Sequence, residues 1–137
     1  MNENEIMTDS EMHEFGIEVV CNQIQKDGFT IDSVNPDKNI NPQIVARKDG
    51  QLSFIVVRTT CYPQKGTIDS DLLFEQLVHN ADKHNAVLYF AGVGIANSQA
   101  KVENEMSIPI KGAGFYISYD GLLIMTYSNR VKILGDI

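Results

Sequence analysis

The run AVLYFAGVGIA, residues 86–96, constrains this chain more than any other segment. It carries no charge, and it is far short of the roughly 20 residues that cross a bilayer as a helix. Two glycines and its β-branched residues disfavour a helix of any kind. A strand that is apolar at every position must be covered on both faces. Such strands sit in sheets with helices on either side, so this run alone points to an α/β architecture.

The flanking segments supply the layers. TDSEMHEF opens a helix, with Thr8 as N-cap and Glu11 as its reciprocal partner in a capping box. Ile17, Val20, Cys21 and Ile24 then recur at helical spacing, and Gly28 suits the left-handed position after the helix end. FTIDSV (29–34) alternates as a strand, and NPDKNINP reads as a loop. QIVAR and LSFIVVRTT are two strands joined by KDGQ, where Asp49-Gly50 is a hairpin signal. After the loop CYPQKGTI a second helix is expected from Asp69 to Lys83, burying Leu73, Leu77, Val78 and Ala81. Beyond the apolar run, residues 97–107 read as a short helix or loop. GFYISYDGLLIMTY reads as a hairpin turning at Asp120-Gly121, and VKILG as a final edge strand. The expectation is a flexible arm over residues 1–8 and a single domain over 9–137. That domain is a three-layer α/β sandwich with a mixed sheet and an added C-terminal hairpin.

Charge limits the partners. Eleven Lys and Arg against eighteen Asp and Glu give a net charge of −7. No dense basic cluster appears, which argues against nucleic acid held by electrostatics. A metal bridge to phosphate is the route left to an acidic nuclease. Cys21 and Cys61 lack metal-ligand spacing and read as free thiols of a reducing compartment. The acidic, polar MNENEIMTDSEMHEF is not a signal peptide, so a soluble, cytoplasmic protein without a membrane partner is expected.

One cation interrupts the pattern. In FIVVRTTCYP (54–63), Arg58 stands inside the apolar strand. Alternation puts Phe54, Val56, Arg58 and Thr60 on one face and Ile55, Val57 and Thr59 on the other. A buried guanidinium needs a carboxylate or several carbonyls. Glu18 is the expected ion-pair partner, with Gln43 as a second contact.

The hairpin NPQIVARKDGQLSFIVVRTT, preceded by a helix with Gly16 within it and Gly28 at its end, resembles the PD-(D/E)XK, or restriction-endonuclease-like, family. It is most similar to small bacterial endonuclease-like proteins related to Holliday-junction resolvases, over residues 11 to about 95. That resemblance implies a three-layer sandwich and, in active members, Mg²⁺ held by two carboxylates beside a lysine. The implied positions fall on Gln43, Val56 and Arg58, and all three residue types differ from the active pattern. Gln43 offers Mg²⁺ one neutral oxygen and Val56 none, while Arg58 stays protonated and is a poor base. Pro36-Asp37 stands six residues ahead of Gln43, in a loop.

The leading expectation is therefore an inactive nuclease-like domain that works by binding. Its partner is a protein or a second copy of itself, and it needs no cofactor. The binding residues expected are Glu18, Gln43, Arg58 and Thr60. A second reading is a metal-dependent nuclease with a rearranged site at Glu18 and Glu75. A third is a small anion-binding domain using Arg58 and its neighbouring threonines.

Other features have plainer readings. His13, His79 and His84 are expected at the surface, Cys61 as a structural thiol, and the AGVGIA glycines as points of close packing. Gly112, Gly114, Tyr116 and Tyr119 belong to a hairpin edge suited to self-association.

Overall fold

A computed structural model describes residues 5–68, 70–111 and 114–126. Helix α1 spans Asp9–Lys26 and begins with the full capping box, Thr8 and Glu11 each accepting from the other's amide. Gly28, at φ +100°, turns the chain away two residues past the helix. Strands β1 (Thr30–Val34), β2 (Ile44–Lys48) and β3 (Gln51–Cys61) follow. The β2–β3 turn has φ +53° at Asp49 and +80° at Gly50, the geometry of a two-residue hairpin that keeps the strands' twist.

Helix α2 runs Asp71–Lys83, capped by the Ser70 hydroxyl. The expected start, Asp69, lies outside the described residues. Its buried face is Phe74, Leu77, Val78 and Ala81, with Leu73 only half-buried. Strand β4, Val87–Asn97, is the apolar run, and it pairs in parallel with all of the C-terminal part of β3. The other pairings are antiparallel, so the sheet is mixed.

The expected C-terminal hairpin does not form. Strands β5 (Phe115–Tyr119) and β6 (Leu123–Ile124) both pair with β4, and their registers differ by one residue. They are two pieces of one antiparallel path along β4, interrupted at Asp120–Leu122. Gly121, at φ +94°, makes the kink. An Asp-Gly step serves a bulge as well as a reversal, because both need a positive φ. VKILG and Gly112 lie outside the described residues.

The sheet order is β1-β2-β3-β4-β5, with β6 also on β4. Its two faces carry separate cores. Ile17, Val20 and Ile24 of α1 cover Ile44, Ala46, Ile55, Val57, Ala91, Val93 and Ile95. Phe74, Leu77, Val78 and Ala81 of α2 cover Phe54, Val56, Leu88 and Phe90, with Ile68 and Met125. One helix thus lies on each face of an open α/β sheet. No helix among the described residues is long and apolar enough to cross a membrane.

Candidate functional site

The C-terminal ends of β3 and β4 are crowded by backbone. The loop after β3 folds back so closely that a Cβ on Gly66 would lie 2.1 Å from the Arg58 carbonyl. Gly92 and Gly94 in turn leave room for the carbonyls of Gly66 and Gln64, 2.7 and 2.9 Å from where their side chains would start. Hydrogen bonds from Tyr62 N–H to the Ile95 carbonyl (2.7 Å) and from Gly66 N–H to that of Val93 (3.2 Å) fix this return. The glycines of AGVGIA are therefore a seat for a loop. On the other face, Gly16 of α1 makes room for Thr59, whose Oγ1 would sit 1.7 Å from a Cβ there.

Arg58 is 9% exposed, and Gln43 is 1% exposed. The Gln43 carbonyl oxygen accepts from the Val57 amide (2.8 Å) and from Arg58 Nη1 (3.3 Å). Its amide nitrogen lies 2.9 Å from Asn41 Oδ1 and 3.3–3.4 Å from the carbonyls of Asp37, Lys38 and Ile40. Arg58 also donates to the Val57 carbonyl (2.9 Å) and to Asn41 Oδ1 (3.2 Å). Gln43 thus ties the β1–β2 loop to β3, using both ends of its amide. Asp37 serves the same loop: its Oδ1 accepts from the Asn39 amide at 2.8 Å.

The expected Glu18–Arg58 ion pair is not among the described contacts. Strand alternation turns Arg58 to the face that α2 covers, whereas α1 lies on the opposite face. Glu18 stands exposed on α1, beside Cys21, whose thiol is pushed up by burial and then by that carboxylate. Glu75 is exposed on α2. The structure thus joins Gln43 to Arg58 and leaves Glu18 in solvent. Val56 is fully buried in the α2-side core with Ile68 and Phe74. Neither Gln43 nor Val56 offers a free ligand atom, since Val56 is apolar and sealed and the Gln43 carbonyl oxygen already accepts two N–H groups. Among the described residues, no three His, Cys, Asp or Glu side chains converge to hold an ion.

Beside this network a cleft of about 740 Å³ opens between the start of α1, the β1–β2 loop and the β3–α2 loop. Arg58, Thr59 and Thr60 form part of its wall, with Lys38, Lys65 and Thr67 on the loops. His13 lines it too. The expectation of a surface histidine fails here: His13 is 5% exposed, while His79 and His84 are exposed. Its Nε2 has no hydrogen-bond partner, nor has the buried Oγ1 of Thr59. Burial holds the His13 ring below the usual imidazole range, and the Arg58 and Lys38 charges push the same way against a weaker pull from Asp37. The sequence carries one signal for it. His13 stands four residues before Ile17, on the apolar stripe of the helix.

Both cysteines are free, and Cys61 Sγ rests 3.2 Å from Met12 Sδ. Tyr119 is half-buried, its phenol pushed up to about 12 by burial and the Asp27 charge, while Tyr116 is exposed.

No curated protein matches the chain. Residues 10–125 match the model of a family described as a domain of unknown function (DUF8840). That stretch takes in all of α1 but its first residue, α2, the described strands and the cleft lining apart from Asp9, and the chain belongs to this family.

Proposed function

We propose that the chain is a binding module on a restriction-endonuclease-like sandwich whose catalytic centre has been converted to internal packing. The observation that carries this reading is the Gln43–Arg58 contact, with Val56 sealed beneath α2. A mixed sheet with one helix on each face is consistent with that architecture. With Gln43 bonded at both ends, a water-activating ion finds no free ligand among these positions.

The test is a Mn²⁺ and Mg²⁺ titration beside a cleavage assay on supercoiled and branched DNA. The expected result is no micromolar metal binding and no cleavage. Metal-dependent cleavage that is lost in Glu18→Ala or Glu75→Ala would replace this reading with a rearranged nuclease. The macromolecular partner is a protein, with a second copy of the chain the first candidate. Tyr116 and Ile117 stand 63% and 47% exposed on β5, and light scattering at micromolar concentration tests whether a dimer forms.

A further inference from the structure

The sheet has two open edges among the described residues, and only one of them is guarded. On β1 a bulge between Ile31 and Ser33 interrupts the ladder, and Asp32 and Arg47 place opposite charges at the rim. Bulges and charges are devices that keep the strands of separate molecules from pairing. Strand β5, FYISY, has neither. It carries no charge and no proline, and its five residues pair with β4 without a break. Among the described residues nothing pairs with its outer side. The chain is acidic as a whole, yet this edge brings no charge to an encounter.

The side chains of β5 form a knob and a hole. Phe115, Ile117 and Tyr119 stand opposite Asn97, Ile95 and Val93, so they share the α1 side of the sheet. Phe115 and Tyr119 pack against that core, whereas Ile117 is exposed. Tyr116 and Ser118 stand opposite Ala96 and Gly94 and take the α2 side. Tyr116 is the knob, an exposed ring. Ser118 is a small residue in the wall of a groove of about 410 Å³, with Tyr62, Pro63 and Met106 among its other walls. The one charged residue of that wall, Lys65, is paired with Asp120, so the groove calls for no charged ligand.

We infer that two copies of the chain join by antiparallel pairing of β5 with β5, about a two-fold axis through Ile117, into one continuous sheet. The inference rests on the binding-module reading and names the surface and symmetry by which the module meets its own copy. A two-fold axis through the sheet keeps the same side-chain face up in both strands, and the register that pairs all five residues puts Ile117 on the axis. The two Ile117 side chains then cover each other on the α1 side. On the α2 side each Tyr116 stands opposite Ser118 of the other copy and lays its ring in the groove beside it. A large and a small residue two places apart on one face are what a two-fold axis exchanges, so this edge is complementary to itself.

Sedimentation velocity of the full chain over a concentration series tests this, and the expected result is a dimer at micromolar concentration. Ile117→Lys sets two ammonium groups against each other on the axis and should weaken the dimer at least about tenfold. Ser118→Tyr blocks the groove from within and should weaken it as well. Both positions are exposed, so the fold survives. With copper phenanthroline as oxidant, Ile117→Cys should form a disulfide-linked dimer faster than Tyr116→Cys, whose two copies stand diagonally apart. A chain that stays monomeric at millimolar concentration overturns the inference. So does a dimer of unchanged strength in both Ile117→Lys and Ser118→Tyr, or the reverse order of cross-linking. If such a protein still neither binds Mn²⁺ nor cleaves DNA, the binding-module reading survives with another surface or partner. Metal-dependent cleavage by a chain whose dimer is lost in Ile117→Lys would sink that reading and leave the dimer standing.

Discussion

Gln43 organises its surroundings by using both ends of one amide. Truncation in Gln43→Ala leaves the Val57 amide without its acceptor and releases the β1–β2 loop. The expected cost is about 3 kcal/mol, read as a lower urea midpoint with unchanged slope. His13 gives a pH signature. Its pKa is lowered in the fold, so below its ordinary value of 6.5 the unfolded chain binds the extra proton. Its stabilising contribution is complete above that value and is lost as pH falls from 6.5 toward the depressed folded value. His13→Gln should flatten the stability–pH slope over this window, by at most about 1.4 kcal/mol per pH unit. An unchanged slope in urea melts at several pH values would contradict the buried, uncharged ring. The one sequence signal for His13, its place four residues before Ile17, is weak, because helical spacing does not separate a polar residue on an apolar stripe from one at its edge. Arg58 was half legible. Alternation gives its face, but charge alone points to Glu18, and α1 lies across the sheet from Arg58.

Two glycines separate two kinds of constraint at the level of the elements. Gly121 has a positive φ and open space around it, so Gly121→Ala meets only backbone strain, about 1 kcal/mol. Gly66→Ala drives a methyl into the β3 backbone and should cost more, about 3 kcal/mol, with the β3–α2 loop displaced. Thermal melts of the two variants give the order, and equal costs would refute the close loop return. The elements themselves were legible from periodicity and caps, from the α1 capping box to the Asp49-Gly50 hairpin. Pairing after residue 114 was not. Asp120-Gly121 between two β-rich runs specifies a positive φ, but the partner of each run is decided by β4, far away in sequence. Phe74 is a similar case: helical spacing allows Leu73 or Phe74, and the α2-side core that also holds Phe54 and Phe90 takes the aromatic.

At the scale of the molecule, the described residues form two cores divided by one sheet. Ile24 belongs to the α1 side and Phe74 to the α2 side. Ile24→Ala and Phe74→Ala should each cost about 3–4 kcal/mol. Without shared partners their costs should add to within about 0.5 kcal/mol in a double variant. A larger deviation in urea unfolding, using truncations to Val and Leu if the alanine variants do not fold, would mean that the sheet transmits repacking between its faces.

The strand order also sets a timetable for deuterium uptake. Strands β3 and β4 are hydrogen-bonded along both edges, whereas β1 among the described residues meets only β2. Protection measured by mass spectrometry should be deepest in β3 and β4 and shallowest in β1, whose ladder is already broken between Ile31 and Ser33. The sheet then unzips from β1 inward. The Gln43 network, anchored on β2 and β3, stays closed until the second step, so a ligand held beside it would slow the exchange of β3 while leaving β1 as fast as before.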